Sequence, residues 1–166
     1  ISVELGLSVI APDPNDRRFT AFRPACWSST APCDHAPMSF DDYATFPLRT
    51  FLGMDISSAT AGTAEASLVV DDKHLNPNGV VHGAVLFALV DTAMGAAAMS
   101  VLAEGRYATS VDIQFRFVRP ASTGRLSATV EVIKAGRNLI HLEGRITGED
   151  DKLISTAAGT FTTFDL

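Results

Sequence analysis

The longest unbroken pattern in this sequence is an apolar segment without proline, GAVLFALVDTAMGAAAMSVLA, at residues 83–103. Its apolar residues fall on every side of a helix rather than on one stripe, which predicts a helix buried nearly all round. Small residues, Gly95 and the alanines that follow it, would let other elements approach the helix backbone closely. The segment therefore predicts one central helix.

Strand patterns flank this helix. Apolar and polar residues alternate at 64–70 and again at 111–117, 126–132, 140–146 and 153–164, which is typical of half-buried strands. Short turn signals separate the later segments and predict antiparallel neighbours. A short helix is predicted within residues 41–54, ending near Gly53. Together these elements predict an α+β fold in which a buried helix packs against an antiparallel sheet.

Residues 1–40 read differently from the rest. Five prolines punctuate them and no period-2 or period-3.6 pattern lasts, so we expect an irregular arm preceding a domain at residues 41–166. Cys26 and Cys33, with His35 nearby, offer too few ligands for a structural zinc site and match no common spacing. Free thiols are the expectation, and no metal or cofactor is predicted.

The net charge and the hydropathy of the chain limit the kinds of partner that it is expected to bind. The net charge of −6 argues against nucleic acid. No apolar run approaches the roughly 20 residues of a membrane span, and Glu4 stands where a signal peptide is positive. We therefore expect a cytoplasmic protein that does not contact membranes. Residues 105–146 hold seven basic against three acidic residues, which fits either a small polyanion or solvated strand faces.

Asp91 is the only charged residue between Gly83 and Ala103. A carboxylate in so apolar a helix must be partnered, protonated or exposed in a cleft, because burying it unpaired is costly. Such groups tend to have shifted pKa values and to be functional. The alternative is a structural carboxylate that only bonds a neighbouring group.

The start of the helix is the second candidate. The first N–H groups of a helix have no internal partner and lie at the positive end of its dipole. Gly83 has no side chain to block approach, so its N–H is a candidate oxyanion donor. The alternative is that Gly83 only permits close packing.

Gly83 and Asp91 lie roughly 12 Å apart along one helix, at about 1.5 Å per residue. Acyl transfer needs donor and base each about 3 Å from one reacting centre. If both act on one carbonyl, they must come from different subunits. A two-fold dimer with antiparallel helices would build two such sites.

The segment His74-Leu-Asn-Pro-Asn-Gly-Val-Val-His-Gly83, followed after seven residues by Asp91-Thr-Ala, resembles the signature of the PaaI-like acyl-CoA thioesterases of the hotdog superfamily. Ser110 to Pro120 is similar to the family's next strand. The resemblance covers roughly residues 45–165, and Ala84 departs from it where the family usually has a second glycine. It implies a hotdog fold, a long central helix wrapped by a five- to six-stranded antiparallel sheet, and a homodimer or dimer of dimers.

The resemblance also implies roles by position. Gly83 polarises the thioester carbonyl, and Asp91 of the partner subunit activates water or attacks directly. Asn76 orients substrate or water, while Ser110 holds the water or Asp91, with Thr109 in its place if the register slips by one residue. His82 binds substrate or is structural. We also expect Arg119 and Arg137 to bind CoA phosphates, because a guanidinium suits phosphate by geometry and charge.

Two alternative functions and the role of two apolar residues remain open. A non-catalytic acyl-CoA sensor would keep the fold and the basic patch. An enoyl-CoA hydratase of this superfamily would resemble an Asp-x-x-x-x-His pattern, but Ala96 stands five residues after Asp91. Phe87 and Met94 would line an acyl tunnel or belong to the core. Serine hydrolase and nucleotide-binding motifs are missing from the sequence.

Overall fold

The structure, a computed structural model, describes residues 46–165, so the predicted N-terminal arm and both cysteines lie outside the described residues. Two helices, a short 3₁₀ turn and six strands follow one another along this range. In chain order they are α1 (Pro47–Leu52), β1 (Asp55–Thr60), β2 (Thr63–Val69), the 3₁₀ turn (Asp72–His74), α2 (Gly83–Met99), β3 (Arg106–Phe117), β4 (Arg125–Ala135), β5 (Leu139–Thr147) and β6 (Leu153–Asp165).

All six strands form one antiparallel sheet in the order β1-β2-β4-β5-β6-β3. The predicted α+β fold, with one long helix against five or six antiparallel strands, is confirmed. The pairing of one strand, β3, differs from the prediction. The chain crosses over between β3 and β4, so β3 pairs with β6 and becomes an edge strand.

The other edge strand, β1, was not predicted. Its sequence, DISSAT, has polar residues on both faces, and only Ile56 and Ala59 are shielded from solvent. A bulge between Ile56 and Ser58 interrupts its pairing with β2 as well. A strand that buries neither face lacks the period-2 signal on which the prediction depends.

The core lies between α2 and one face of the sheet. Alternate residues of β2, β4 and β5 point at the helix, including Leu68, Leu126 and Leu142. A side chain at Gly159 on β6 would come within 2.8 Å of the Met94 sulfur, so this glycine lets helix and sheet approach closely. Met94 is fully buried there. It belongs to the core rather than to a tunnel.

The central helix differs from its prediction in two respects. It ends at Met99 rather than near residue 103, because the Ser100 hydroxyl donates to the Ala97 carbonyl at 2.8 Å and accepts the Gly62 N–H at 2.9 Å. It is also not buried all round. One face carries residues that the sheet leaves partly or fully exposed: Ala84, Phe87, Ala88, Asp91 and Gly95.

α1 ends where Gly53 adopts a left-handed conformation with φ 64°, as the predicted helix end near Gly53 requires. Within residues 46–165, no helix is long and apolar enough to cross a membrane.

Candidate active site

The loop that leads into α2, residues 74–82, is closed at its base and held at its tip. We call it the site loop. At the base, the His82 N–H donates to the His74 carbonyl at 2.8 Å. Nearer the tip, the Asn76 N–H donates to the Val80 carbonyl, also at 2.8 Å, and Leu75 pairs with Val81. These bonds make the site loop a defined support for the start of the helix.

Asn76 organises the tip of this loop through one end of its side chain. Its Oδ1 accepts the N–H of Asn78 at 2.8 Å and that of Val80 at 3.4 Å. Its Nδ2 donates to no group among residues 46–165. The oxygen is therefore committed to the loop, and the amide NH₂ is the end left to face a ligand.

Of the first three N–H groups of α2, two have a hydrogen-bond acceptor within residues 46–165 and one does not. The Ala84 N–H donates to His82 Nδ1 at 3.0 Å, and the Val85 N–H donates to the His82 carbonyl at 2.9 Å. The Gly83 N–H has no acceptor in the described part of the chain. His82 thus caps the helix, the structural role that the sequence left open for it. Gly83 keeps an unpaired donor at the positive end of the helix dipole.

A pocket of about 390 Å³ opens beside this donor. It brings together three of the residues singled out from the sequence: Asn76, Gly83 and Arg119. Leu86 and Phe117 supply apolar walls. Two larger depressions, of about 470 and 690 Å³, lie against strands away from the helix start and hold none of the predicted site residues. The pocket at the start of α2 therefore brings together Asn76, Arg119 and a glycine whose N–H has no acceptor among residues 46–165.

Phe117, at the end of β3, was not singled out from the sequence. A Cβ added at Gly83 would lie 2.8 Å from its ring carbon Cζ, so Gly83 also permits close packing. The ring remains 62% exposed and continues an aromatic row. Its centroid lies 4.7 Å from that of Phe115, which lies 6.0 Å from that of Phe87. Phe115 and Phe117 are two positions apart on a strand and so share a face, which is the sequence signal that could have predicted this row.

Asp91 lies on the face of α2 that the sheet does not cover. Partial burial raises the pKa of its carboxyl above its usual range, because the apolar surroundings disfavour the charged form. Over the range 46–165, its carboxylate has no hydrogen-bond or ion-pair partner. The structural alternative, a carboxylate tied to a neighbouring group, thus gains no support from the described residues.

Two contacts align α2 with the edge strand. Gly83 lies against Phe117, and Phe87 packs at a tilt against Phe115, so the helix and β3 run antiparallel. Asp91 follows Phe87 by one turn, about 6 Å along the helix. Two strand residues span about the same length. This advance brings Asp91 to the level of Ile113, next to a bulge in β3.

The bulge decides which hydroxyl faces the helix. Ser110 pairs with Phe161 of the core, whereas Asp112 pairs with Thr160 on the outer face, so Val111 is an extra residue. Paired residues share a face of the sheet. Ser110 therefore points to the helix side and Thr109 to the opposite side. Val111, predicted among the inward residues of this strand, is the bulged residue and is 61% exposed.

The two arginines expected at CoA phosphates lie at opposite ends of β3. Arg119 follows the strand and donates to the Leu153 carbonyl at 3.3 Å, beside the pocket. The Arg137 carbonyl accepts from Arg106, where β3 begins, at 3.1 Å. The strand between them spans on the order of 35 Å. One chain does not bring both arginines to one phosphate group.

Comparisons with known proteins identify the family. Residues 78–155 match the family described as the thioesterase superfamily. The acyl-coenzyme A thioesterase PaaI of Escherichia coli is 31% identical over 109 residues, which are 65% of this chain and 76% of PaaI. The 1,4-dihydroxy-2-naphthoyl-CoA hydrolase of Listeria monocytogenes is 28% identical over 64% of this chain and 87% of that enzyme.

A solved structure agrees as well. A thioesterase of Haemophilus influenzae matches with a TM-score of 0.71 and 28% identity, over 79% of this chain and 94% of that one. The fold and these relatives thus define a thioester hydrolase with the hotdog fold. The chain belongs to the thioesterase superfamily, and the resemblance to PaaI-like enzymes is confirmed. Among residues 46–165, no cluster of three or more His, Cys, Asp or Glu could hold a metal ion.

Proposed function

We propose that this protein hydrolyses an aryl- or fatty-acyl-CoA thioester to the free acid and CoA. One observation carries the proposal: Gly83, whose N–H has no acceptor among residues 46–165, lines a pocket together with Asn76 and Arg119. A donor, an amide and a guanidinium suit a carbonyl and a phosphate-bearing carrier. Hydrolysis of acyl-CoA substrates by PaaI and by the naphthoyl-CoA hydrolase supports the same substrate class.

The chemistry requires a donor and a carboxylate at one carbonyl. The Gly83 N–H stabilises the negative charge that develops on the carbonyl oxygen. Asp91 accepts a proton from water while the water oxygen bonds to the carbonyl carbon. The carbon–sulfur bond then breaks, and the CoA sulfur takes the proton from Asp91. Alternatively, the carboxylate attacks first, CoA leaves as thiolate, and water hydrolyses the resulting anhydride.

The site is shared between two subunits in this proposal. The helix separates Gly83 from Asp91 by roughly 12 Å within one chain, so one copy cannot hold both at one carbonyl. The face of α2 that the sheet leaves exposed carries Asp91 and adjoins β3, an edge strand among residues 46–165. A two-fold axis at the level of Phe87, midway between the two residues, would place each Gly83 opposite the Asp91 of the partner subunit.

The remaining residues take roles consistent with their positions. Asn76 points its amide NH₂ at substrate or water. Ser110, on the helix side of β3, holds the water or Asp91, and Thr109 is the poorer candidate because it faces outward. His82 caps α2 and borders the substrate. Arg119 holds a CoA phosphate, and antiparallel subunits would bring Arg137 of the partner subunit towards the same end. A dimer of dimers completes the proposed assembly.

Thiol release tests the function. Wild-type protein should liberate CoA from a panel of benzoyl-, phenylacetyl- and straight-chain acyl-CoAs, measured with a thiol reagent. Tight binding without release would instead indicate an acyl-CoA sensor. Consumption of an enoyl-CoA without thiol release would indicate a hydratase. Either of these results would contradict the proposal.

Mixed dimers test the shared site. Asp91→Ala and Gly83→Pro subunits are each expected to be inactive alone. When two differently tagged variants are co-expressed and the heterodimer is purified, one of its two composite sites is intact. We expect such heterodimers to recover about half of the wild-type rate per dimer. Purified, folded heterodimers with no more activity than either parent would contradict the shared geometry.

A further inference from the structure

We propose that His74 is a positioning residue that sets the direction of the Gly83 N–H. The proposal rests on the proposed function, in which this N–H binds the thioester oxygen. His74 is 1% exposed and lies at the base of the site loop, nine residues before Gly83. It does not line the pocket described above, so any effect on the reaction must pass through Gly83.

Both nitrogens of the His74 ring bond to backbone groups. Nδ1 accepts the Asp71 N–H at 2.9 Å, which requires this nitrogen to be unprotonated. Nε2 lies 2.9 Å from the Leu52 carbonyl and therefore donates to it. The ring is thus neutral, with its proton on Nε2. It ties the base of the site loop to the last residue of α1.

The backbone of His74 continues this link to the donor. The His74 carbonyl accepts the His82 N–H at 2.8 Å. The next peptide group joins His82 to Gly83. Its carbonyl accepts the Val85 N–H at 2.9 Å, and its other end is the free Gly83 N–H. Because a peptide group is planar, holding His82 from one side and its carbonyl from the other fixes where the Gly83 N–H points.

The His74 N–H also donates to the Asp71 carbonyl at 2.9 Å, but within residues 46–165 no other hydrogen bond of the site loop ties it to α1. Asn76 holds only the tip, and the Val81 N–H bonds to the Ala121 carbonyl on the far side. An aliphatic side chain at residue 74 would leave the buried Leu52 carbonyl without its donor and the Asp71 N–H without its acceptor. Burying such groups unpaired is costly, so the base of the loop would move to reach new partners, and Gly83 with it.

Kinetics of two variants provide the first test. His74→Leu removes both ring bonds, whereas His74→Gln can accept and donate through one amide of similar reach. We expect His74→Leu to lower kcat by about 10- to 100-fold with KM changed less than about threefold, since a donor misplaced by 1 Å is costly. His74→Gln should stay within about threefold of wild type. Unchanged kcat in folded His74→Leu would overturn the proposal.

A spectroscopic signature separates positioning from stability. In an Asp91→Asn background, bound benzoyl-CoA labelled with ¹³C at the carbonyl should show its C=O stretch shifted to lower frequency by the Gly83 N–H. We expect His74→Leu to lose most of this shift and His74→Gln to keep it. Should His74→Leu fail to fold, His74→Asn, which is too short to reach Leu52, serves in its place.

The outcomes are distinguishable from failure of the function itself. No shift with His74 intact would mean that Gly83 is not the donor, which overturns the proposed function. A full shift that survives loss of the ring bonds, together with a lowered melting temperature, would mean that His74 only stabilises the fold. That result would overturn the positioning role while leaving the thioesterase site in place.

Discussion

Asp91→Asn is expected to lower kcat by about 10³-fold or more, because the amide can neither accept the proton of the attacking water nor attack the carbonyl itself. The amide matches the carboxylate in size, and the Asp91 carboxylate has no partner within the described range whose loss would disturb the fold. KM should change little, since substrate binding depends on the start of the helix. The measurement is thiol release under saturating acyl-CoA.

Asp112→Asn is the matched control. It makes the same chemical change on the outer face of β3, near the bulge, and should leave kcat within about twofold. Equal losses in both variants would show that charge near the edge strand, rather than a reacting carboxylate, supports activity. Activity retained in Asp91→Asn would remove the base from the mechanism.

Asp91→Asn should also be more stable than wild type at neutral pH. Burial raises the pKa of Asp91, so the folded protein keeps this proton to a higher pH than the unfolded chain. The free energy of unfolding therefore falls as pH rises from the carboxyl's ordinary range of about 4 through the raised pKa. Asp91→Asn lacks this titration. Its melting temperature should exceed that of wild type at pH 7, and the difference should shrink in acid.

Gly83→Pro should lower kcat by about 10²- to 10³-fold, the usual effect of removing one oxyanion donor. Proline is tolerated at the first position of a helix, and the only N–H it removes is the one without a partner in the described chain. KM should rise far less, because the donor acts mainly on charge that develops in the transition state. The activity of purified, folded variant is again measured by thiol release.

Gly83→Ala is its control, because both substitutions add a Cβ that meets the Phe117 ring. The exposed ring has room to move, so Gly83→Ala, which keeps the N–H, should lose less than about tenfold. If Gly83→Ala and Gly83→Pro lower kcat equally, the need for glycine comes from packing against Phe117, and the proposed role of the N–H as a donor is wrong.

The central helix and its candidate residues were predictable because both follow from local sequence. A long apolar segment with one acid identifies α2 and Asp91, and the helix start identifies Gly83 without any knowledge of the sheet. The pocket is lined by Gly83, by Asn76 of the same motif, and by Arg119, which was predicted from its charge. Identifying α2, Asp91 and Gly83 needs only helix geometry and the cost of burying a charge.

What escaped prediction depends on contacts between distant segments. The pairing of β3 with β6 requires a crossover that no turn signal marks, and the contact between Phe117 and Gly83 likewise joins segments far apart in the sequence. The sequence also does not predict which face of α2 is exposed, because a helix with apolar residues on every side gives no sign of which side the sheet covers. One ring bond of His74 joins it to Leu52, 22 positions away, a separation at which local patterns carry no signal.

The extra residue in β3 has a consequence for comparing this chain with others. Ser110 and Phe115 are five positions apart, an odd number, yet both face α2 because Val111 interrupts the alternation. In a relative that lacks this insertion, the equivalent hydroxyl would occupy an even spacing from its aromatic residue. A gap-free alignment anchored on the aromatic positions would then pair that hydroxyl with the bulged valine, and the two serines would look unrelated.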